Sequence, residues 1–374
     1  MATNDLLTRD AEPGSPVRRP HRVRWTVLAV IAALALLVAV SLGRALLAPG
    51  TDSVAARVAE WARGHGLSSV IDRVERATYS PPAVGGRPAA DSPLAQPRTG
   101  VSPGATTLPP VPALASPALP GEGTWRVLTT VGGRPAVQVA YLRPDAVHTS
   151  LTAAVAWMDP HLLRFTLHPG TQEPGGGPWP VGPVITRGER AGLVAAFNGG
   201  FRLDAARGGF FEGGRTKGVL RDGAASLVLT TDGRALVGQW GRDVGPGPTI
   251  AAVRQNLDLL VDGGQVTPGL ADNSRGRWGA TLGNKLYVWR SGVGQTAAGD
   301  LVYVAGNRLS APTLAELLRR AGSVRAMELD INPEWTSLVL FPQEKNLLPD
   351  MQRSPRRYDA TSTRDFVTAG RRAP

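Results

Sequence analysis

The sequence predicts a strand-rich α+β fold: a single mixed α/β domain preceded by a transmembrane helix and a linker rich in Pro and Ala. Three observations carry this prediction. They are an uncharged apolar stretch near the N-terminus, a Pro-, Ala- and Gly-rich segment behind it, and a long remainder of short apolar runs separated by Gly, Pro and Asp turns. Gly (45) and Pro (32) make up so much of the 374 residues that the folded part must be shorter than the chain.

The N-terminal region predicts a cytoplasmic basic arm at 1–24 and a transmembrane signal anchor at 25–48. Trp25 to Leu42 carries no charge over 18 residues, near the ~20 residues needed to cross a bilayer. Basic residues before this stretch place the N-terminus in the cytoplasm and the rest of the chain outside the plasma membrane. A cleaved signal peptide is the competing interpretation, and Pro49 directly after Ala48 disfavours that cut. A buried core helix is disfavoured by the uniform apolarity.

The segment behind the apolar stretch divides into two parts. Residues 51–79 carry apolar side chains at helical spacing on either side of Gly64, which predicts a short helical pair that forms a juxtamembrane stalk or covers the main domain. Residues 80–121 are mostly Pro, Ala, Ser and Gly, a composition typical of a semi-extended linker that buries no core. The main domain is therefore predicted at 122–374.

Within the main domain the pattern predicts many strands and few helices. The predicted strands are 125–131, 137–142, 153–158, 163–167, 193–197, 226–230, 235–238, 257–261, 280–282, 286–289 and 301–304, with a further strand in 324–332. Helices are predicted at 187–192, 249–255 and 313–321. The last of these is expected to begin at a capping box of Thr313 and Glu316 and to stop at Gly322.

The composition excludes several kinds of site. The chain has no Cys, which excludes disulfides, thiolate metal sites and a cysteine nucleophile. The formal net charge of +11 is spread over the chain without a basic stripe, so no nucleic-acid partner is predicted. The five His residues lack metal-ligand spacing and no phosphate loop or dinucleotide fingerprint is present, so neither a metal nor a cofactor is predicted. The excess of Arg over Lys indicates a GC-rich bacterial genome.

Acidic side chains lie within and just after the apolar run at 324–331. Period-two alternation puts Glu328 and Asp330 on one face of a strand, and Pro333 cannot donate to a ladder. Pairing should therefore stop near Asn332 and leave Asp330, Asn332 and Glu334 at the exit of the strand. Each of these residues also has a structural explanation that needs no functional site. Asp330 would cap a turn, Glu328 would form an ion pair with a neighbouring Arg, and Glu334 would be solvated.

Two further stretches carry candidate residues. Asn198 to Arg202, Asn-Gly-Gly-Phe-Arg, follows an apolar run, and its glycines would let backbone N–H groups approach an anion or a sugar, although a hairpin turn explains the same residues. Asp262 before Gly263 fits either a site residue or a type I′ turn. Arg277 and Trp278 fit a sugar platform, although Trp is more often a core residue.

Five stretches of the main domain, taken in their order along the chain, resemble elements of the phosphodiester glycosidase family. The family's Asn-Gly-Gly-Phe-Phe motif is similar to Asn198–Phe201, with Arg202 in place of the second Phe. The sequences of 218–223, Leu260–Gly263 with Arg277, and Thr313–Leu317 resemble three further elements of the family. Its Leu-Asp-Gly-Gly-Gly-Ser segment is matched only by Leu329-Asp330, which is followed here by Ile-Asn-Pro-Glu.

Together, the predicted anchor and the resemblance imply a membrane-anchored extracytoplasmic hydrolase that cleaves a glycosyl phosphodiester of a cell-envelope glycan or exopolysaccharide. The predicted catalytic residues are Asn198 and Asp330, which match family motifs, and Glu328, a carboxylate on the same predicted strand face as Asp330. The predicted substrate contacts form a larger set: Gly199, Gly200, Phe201, Arg202, Asp262, Arg277, Trp278, Asn332 and Glu334. Because the Gly-Gly-Gly-Ser segment is missing, the alternative is a non-catalytic module of the same fold that binds a phosphoglycan or a partner protein of the envelope.

Overall fold

The structure, a computed structural model, describes residues 21–48, 50, 52–67, 69–70, 73, 77, 79–95, 108–273, 276–279, 286–351 and 354–372. The predicted strand at 280–282 lies outside these residues, as do most of the predicted basic arm and most of the predicted second helix of 51–79. Contacts divide the chain into one unit at Met1–Ala48 and a second at Pro49–Pro374.

The first unit contains helix α1, His21–Leu46. Its part from Arg24 to Leu46 spans 23 residues with a mean hydropathy of 2.6, long and apolar enough to cross a membrane. The predicted apolar helix is therefore confirmed. Its length and composition fit a membrane span and also fit a signal sequence.

The second unit begins with α2, Val54–Gly64, and is otherwise built mainly from short strands. Its first strands and helices are β1 (Arg126–Val131), β2 (Arg134–Leu142), β3 (Ala153–Met158), β4 (Leu163–His168), α3 (Arg187–Gly192), β5 (Leu193–Asn198), α4 (Leu203–Ala206), β6 (Phe210–Glu212), β7 (Arg215–Lys217), β8 (Ala225–Thr230) and β9 (Ala235–Gln239). They are followed by β10 (Ile250–Gln255), β11 (Leu259–Asp262), β12 (Gln265–Val266), β13 (Val288–Thr296), β14 (Leu301–Leu309), α5 (Ala311–Arg320), β15 (Ser323–Glu328), β16 (Leu338–Leu340), β17 (Lys345–Asn346) and β18 (Phe366–Arg371).

The strands of the described residues form three sheets, and the strand-rich α+β prediction is confirmed. An eight-stranded sheet has the order β1-β2-β3-β14-β13-β15-β11-β12, and two five-stranded sheets have the orders β7-β6-β10-β8-β9 and β17-β16-β5-β18-β4. Strand β15 pairs antiparallel with β13 and with β11, so the acidic stretch leaves the sheet from an interior strand. Strand β5, which leads into Asn-Gly-Gly, is likewise interior, between β16 and β18.

Helix α5 packs an apolar stripe on the large sheet, and its start differs from the prediction. Leu314, Leu317 and Leu318 are fully buried in one core cluster with Ala326 of β15. The N-cap is Ser310, whose side chain accepts a hydrogen bond from the backbone N–H of Thr313. The predicted capping box is wrong because the helix starts three residues earlier, where Ser-Ala-Pro supplies both a cap and a proline in the first turn.

Two other expectations differ from the structure. Residues 249–255 were expected to be helical but form β10, because antiparallel pairing with β6 and β8 on both sides outweighs the helix propensity of two Ala residues. In the segment expected to bury no core, Leu94, Val111 and Ala115 are buried, and Val111 joins the core cluster beneath α5. Short apolar side chains scattered among Pro and Gly are therefore enough to dock part of the linker.

Candidate active site

A cleft of about 610 Å³ lies where the acidic stretch leaves β15. Helix α2 and residues Tyr79 and Ser80 border it on one side, and the segments after β5 and β15 border it on the other. Aromatic and charged side chains share its lining: Phe201, Tyr287, Trp289 and Trp335, with Glu60, Arg63, Arg202, Arg308, Asp330, Glu334 and Arg364. Aromatic faces with a few convergent polar groups are typical of a small-ligand or glycan pocket.

Asp330 lies at the floor of this cleft, directly behind β15. Its backbone still pairs with β13: the N–H of Ser291 donates to the Asp330 carbonyl at 2.8 Å, and the Asp330 N–H donates to Ser291 Oγ at 3.2 Å. The side chain then caps a turn, because Oδ1 accepts the backbone N–H of Asn332 at 2.8 Å. The Asp330 carboxyl therefore has a fixed position, and it also borders a second cavity of about 10 Å³, roughly the room for one water molecule.

The environment of Asp330 favours its protonated form. Burial raises the pKa of Asp330 to about 7, although the Arg364 guanidinium and the backbone N–H groups of Asn332 and Ile331 act to lower it. The Glu60 carboxylate adds a smaller effect in the raising direction. A carboxyl group with a pKa near neutrality can take up and release a proton under ordinary conditions, as a general acid or base must.

Two arginines meet a carboxylate in the cleft beside Asp330. Oε2 of Glu60, on α2, lies 3.2 Å from Nη1 of Arg202 and 3.1 Å from Nη2 of Arg364. The Arg364 guanidinium also lies over the Trp335 ring, 4.6 Å from its centroid. Neither Glu60 nor Arg364 was predicted, since both come from segments far from Asp330 in sequence and neither carries a local motif.

Asn198 is used within the fold. Its Nδ2 donates to the Gly199 carbonyl at 2.9 Å and to Ser291 Oγ at 3.0 Å. Its Oδ1 accepts from Tyr303 Oη at 2.9 Å and from the Ser337 N–H at 3.0 Å. The side chain thus ties β5 to β13, to β14 and to the segment before β16. Asn198 also borders the 10 Å³ cavity, with the polar atoms of its side chain bonded within the fold.

The two glycines after Asn198 approach a buried ion pair, whereas the sequence suggested an approach to a ligand. A Cβ on Gly199 would lie 2.2 Å from Oδ2 of Asp365, and one on Gly200 would lie 3.0 Å from Cζ of Arg254. Arg254 Nε and Asp365 Oδ2 are 2.7 Å apart, and both side chains are almost fully buried. Side chains at either glycine would collide with this pair, which explains their identity without a ligand.

Four other predicted residues, two from the glycine-rich stretch (198–202) and two from the acidic stretch (324–334), line the cleft. Phe201, Arg202, Asn332 and Glu334 all line it together with Asp330. Glu334 is not simply solvated, because its Oε1 accepts a hydrogen bond from Ser53 Oγ at 3.1 Å. The structure therefore brings together the residues that were predicted from these two separate stretches.

Four other predicted site residues lie elsewhere. Glu328 is fully buried, forms an ion pair with Arg290 and lines neither cavity. Burial raises its pKa against the opposing charge of Arg290. The predicted catalytic position of Glu328 is thus corrected. Its side chain belongs to the sheet face that packs under α5, where the Arg–carboxylate alternative applies.

Trp278, Arg277 and Asp262 are likewise placed away from the cleft. Trp278 is fully buried in the core cluster beneath α5, so its ring is unavailable as a sugar platform. Arg277 covers that ring and its Nε lies 3.0 Å from Asp258 Oδ2. Asp262 closes the β11–β12 hairpin, whose Gly263 and Gly264 both have positive φ, and it pairs with Arg242 at 2.7 Å. Local turn and packing requirements account for all three residues.

The cleft combines aromatic side chains with the buried Asp330, whose carboxyl pKa burial raises to about 7. Residues 191–330 match the model of a known family, phosphodiester glycosidase, so the predicted family resemblance is confirmed over this range. The match contains β5, the Asn-Gly-Gly stretch and, as its last residue, Asp330. Among curated proteins, no sequence matches this chain.

Solved structures that are similar to this chain include two of interest. A hypothetical protein from Synechocystis is 14% identical with a TM-score of 0.39, and the match covers 66% of this chain and 65% of that protein. The catalytic domain of zebrafish N-acetylglucosamine-1-phosphodiester alpha-N-acetylglucosaminidase, auto-inhibited by its pro-peptide, is 16% identical with a TM-score of 0.43, and the match covers 66% of this chain and 88% of that domain. The chain thus spans a little under two thirds of the Synechocystis protein.

Proposed function

We propose that this protein is a membrane-anchored extracytoplasmic hydrolase that cleaves the sugar–phosphate bond of a glycosyl phosphodiester. The observation that carries the proposal is the position of Asp330, which lines the cleft and accepts the Asn332 N–H with its carboxyl group. Burial raises the pKa of this carboxyl to about 7 against the charge of Arg364. The family match over 191–330 supports the same reaction class.

The reaction needs a proton acceptor and a stabilised leaving group. In the proposed step, water attacks the anomeric carbon and gives its proton to the Asp330 carboxylate. The C–O bond to phosphate breaks, and its electron pair stays on the phosphate oxygen. Phosphate is a good leaving group, so cationic side chains such as Arg202 would contribute more than a second carboxyl acid. A mechanism without a second carboxyl acid is consistent with the site, because the Glu328 carboxylate is already in an ion pair with Arg290.

The cleft also offers apolar surface for a sugar. Phe201, Tyr287 and Trp289 line it, and aromatic rings commonly pack against the C–H faces of sugars. Asn332 and Glu334 add polar atoms at the same wall. We propose these residues as substrate contacts, with a cell-envelope glycan or an exopolysaccharide as the source of the substrate and the plasma membrane as the location of the enzyme.

The second candidate is a non-catalytic module that binds a phosphoglycan. It is favoured by the sequence after Asp330, where Ile331 packs with Phe201 and Leu257 in a place where the family has glycines. An apolar side chain there leaves fewer backbone N–H groups able to approach an oxyanion. Binding without turnover would be the signature of this function.

The test is hydrolysis of a panel of glycosyl phosphodiesters, including an N-acetylglucosaminyl phosphodiester, by the full-length protein in detergent micelles. Asp330→Asn should lower turnover at least about a hundredfold, the ordinary contribution of a general base. Asp262→Asn, which changes an exposed carboxylate away from the cleft, is the matched control and should retain full turnover. Equal turnover in Asp330→Asn and the parent would refute the assigned role. Substrate binding without turnover in the parent would favour the binding module.

A further inference from the structure

Helix α2 places an acidic side chain where the substrate's anion would be expected. We propose that Arg202 and Arg364 form a phosphate-binding subsite that Glu60 of this chain fills, so that a phosphate group binds only by displacing Glu60. The inference rests on the proposed function, since it assigns the phosphate end of that substrate to one pair of side chains.

The geometry around Glu60 is that of an anion site. Arg202 and Arg364 come from different segments and converge on a single carboxylate oxygen, Oε2, at 3.2 and 3.1 Å. Two guanidinium groups that converge on one oxygen form the charge-assisted contacts that carboxylates and phosphates share. A phosphate oxygen in the position of Glu60 Oε2 would keep both contacts.

Arg364 has hydrogen-bonding capacity beyond its contact with Glu60. Its side chain is only 9% exposed and is held over the Trp335 ring, while its Nη1 is buried with no hydrogen-bond partner. A buried donor without a partner is costly, and a ligand with more oxygens than a carboxylate would satisfy it. Tetrahedral phosphate fits this requirement better than the two-oxygen carboxylate of Glu60. The subsite is therefore incompletely satisfied by its present occupant.

The helix that carries Glu60 has few buried side chains. Its buried side chains are Ala56 and Ala62, which bury little apolar area, while Val54 is 68% exposed. An 11-residue helix is marginal without tertiary support. A hydrogen bond from Ser53 to Glu334 adds a polar contact at its start. Because α2 belongs to the same chain, Glu60 competes with phosphate as a tethered ligand.

The test is calorimetric titration of inorganic phosphate into the full-length protein in micelles. Glu60→Gln keeps the size of the side chain and removes its charge. It should tighten phosphate binding about tenfold, the value of one charge-assisted hydrogen bond no longer broken on binding. Glu316→Gln removes a charge from another carboxylate that is paired with arginines, on α5, and should leave the affinity unchanged. Arg364→Lys in the Glu60→Gln background should reverse the gain.

Other results would overturn the inference. Phosphate affinity that is equal or weaker in Glu60→Gln would mean that Glu60 does not occupy the phosphate position. An equal gain in Glu316→Gln would mean that net charge alone is responsible. The inference also predicts a lower KM for glycosyl phosphodiesters in Glu60→Gln.

The phosphate titration separates this inference from the proposed function. Tighter phosphate binding in Glu60→Gln without hydrolysis by any variant would sustain the subsite and refute the enzyme. Hydrolysis that depends on Asp330, with phosphate affinity indifferent to Glu60, would sustain the enzyme and refute the subsite.

Discussion

At the scale of single residues, two carboxyl groups from the same stretch of chain have different surroundings: Glu328 is buried in an ion pair, and Asp330 lines the cleft. Alternation predicted that Glu328 and Asp330 share a face. Strand β15 ends at Glu328, and Asp330, two residues further on, accepts the Asn332 N–H and lines the cleft. Glu328 instead pairs with Arg290 on the face that contains Trp278. Sequence periodicity therefore located the acidic residues but not their directions, because a turn breaks the alternation on which the prediction depends.

The first prediction concerns the stability of the Glu328–Arg290 pair. Glu328→Gln leaves the Arg290 guanidinium buried without an opposite charge, which should lower the free energy of unfolding by about 3 kcal/mol. Asp262→Asn, at an exposed pair, should change it by less than about 0.5 kcal/mol. Urea unfolding followed by circular dichroism measures both. Similar decreases in the free energy of unfolding in the two variants would show that the buried Glu328–Arg290 pair contributes no more to stability than an exposed pair.

The second prediction concerns how stability depends on pH through Asp330. Its carboxyl has a pKa of about 3.9 in an unfolded chain and about 7 in the fold. Because the folded value is the higher one, protonation of Asp330 favours the folded state. This contribution is complete below about pH 4 and is lost as the pH rises through about 7.

Asn at position 330 stays neutral, so Asp330→Asn should remove that loss. Relative to the parent, the variant should gain stability between pH 4 and pH 8, by up to about 4 kcal/mol. Denaturant unfolding at several pH values measures the difference, with Asp262→Asn as the control. A difference between parent and Asp330→Asn that is constant over this pH range would contradict the raised pKa.

At the scale of elements, local signals predicted most strands that carry a long apolar run. The prediction for β3 matches the structure at both ends, and those for β4, β5 and β8 differ by one residue. Strand β17 was missed because it has only two residues, Lys345–Asn346, and no apolar run. Strands β16 and β18 were not predicted, since both pair with β5, which is distant in sequence. Arg364 was missed for the same reason: it reaches Asp330 only because β18 pairs with β5.

The third prediction concerns the start of α5. Ser310→Ala removes the side chain that accepts the Thr313 N–H and should cost about 1 kcal/mol. Glu316 pairs with Arg319 and Arg320 instead of reaching back to the cap, and Glu316→Gln should cost a few tenths of a kcal/mol. Thermal unfolding of the two variants measures these costs. A larger loss in Glu316→Gln would reinstate the capping box at Thr313 that the sequence suggested.

At the scale of the whole molecule, the chain divides at Ala48 into an apolar helical unit and the unit that carries the cleft. The sequence predicts that α1 crosses the plasma membrane with the basic residues inside. An enzyme that acts on envelope glycans needs its cleft on the outer side. The proposed function and the proposed orientation therefore depend on each other, and the absence of Cys makes the orientation measurable.

The last prediction is that the cleft-bearing unit is outside the cell and the N-terminal arm inside. Val219 is 77% exposed, so Val219→Cys provides a thiol on the second unit, and Ser15→Cys provides one in the basic arm. In intact cells, a membrane-impermeant maleimide should label only Val219→Cys, and permeabilised cells should show both labels. The opposite pattern would contradict the orientation, because basic residues before an apolar span are retained in the cytoplasm. If the label at position 15 is missing even after permeabilisation, and the mature protein is shorter by the mass of residues 1–48, then α1 is a cleaved signal sequence and the second unit is released.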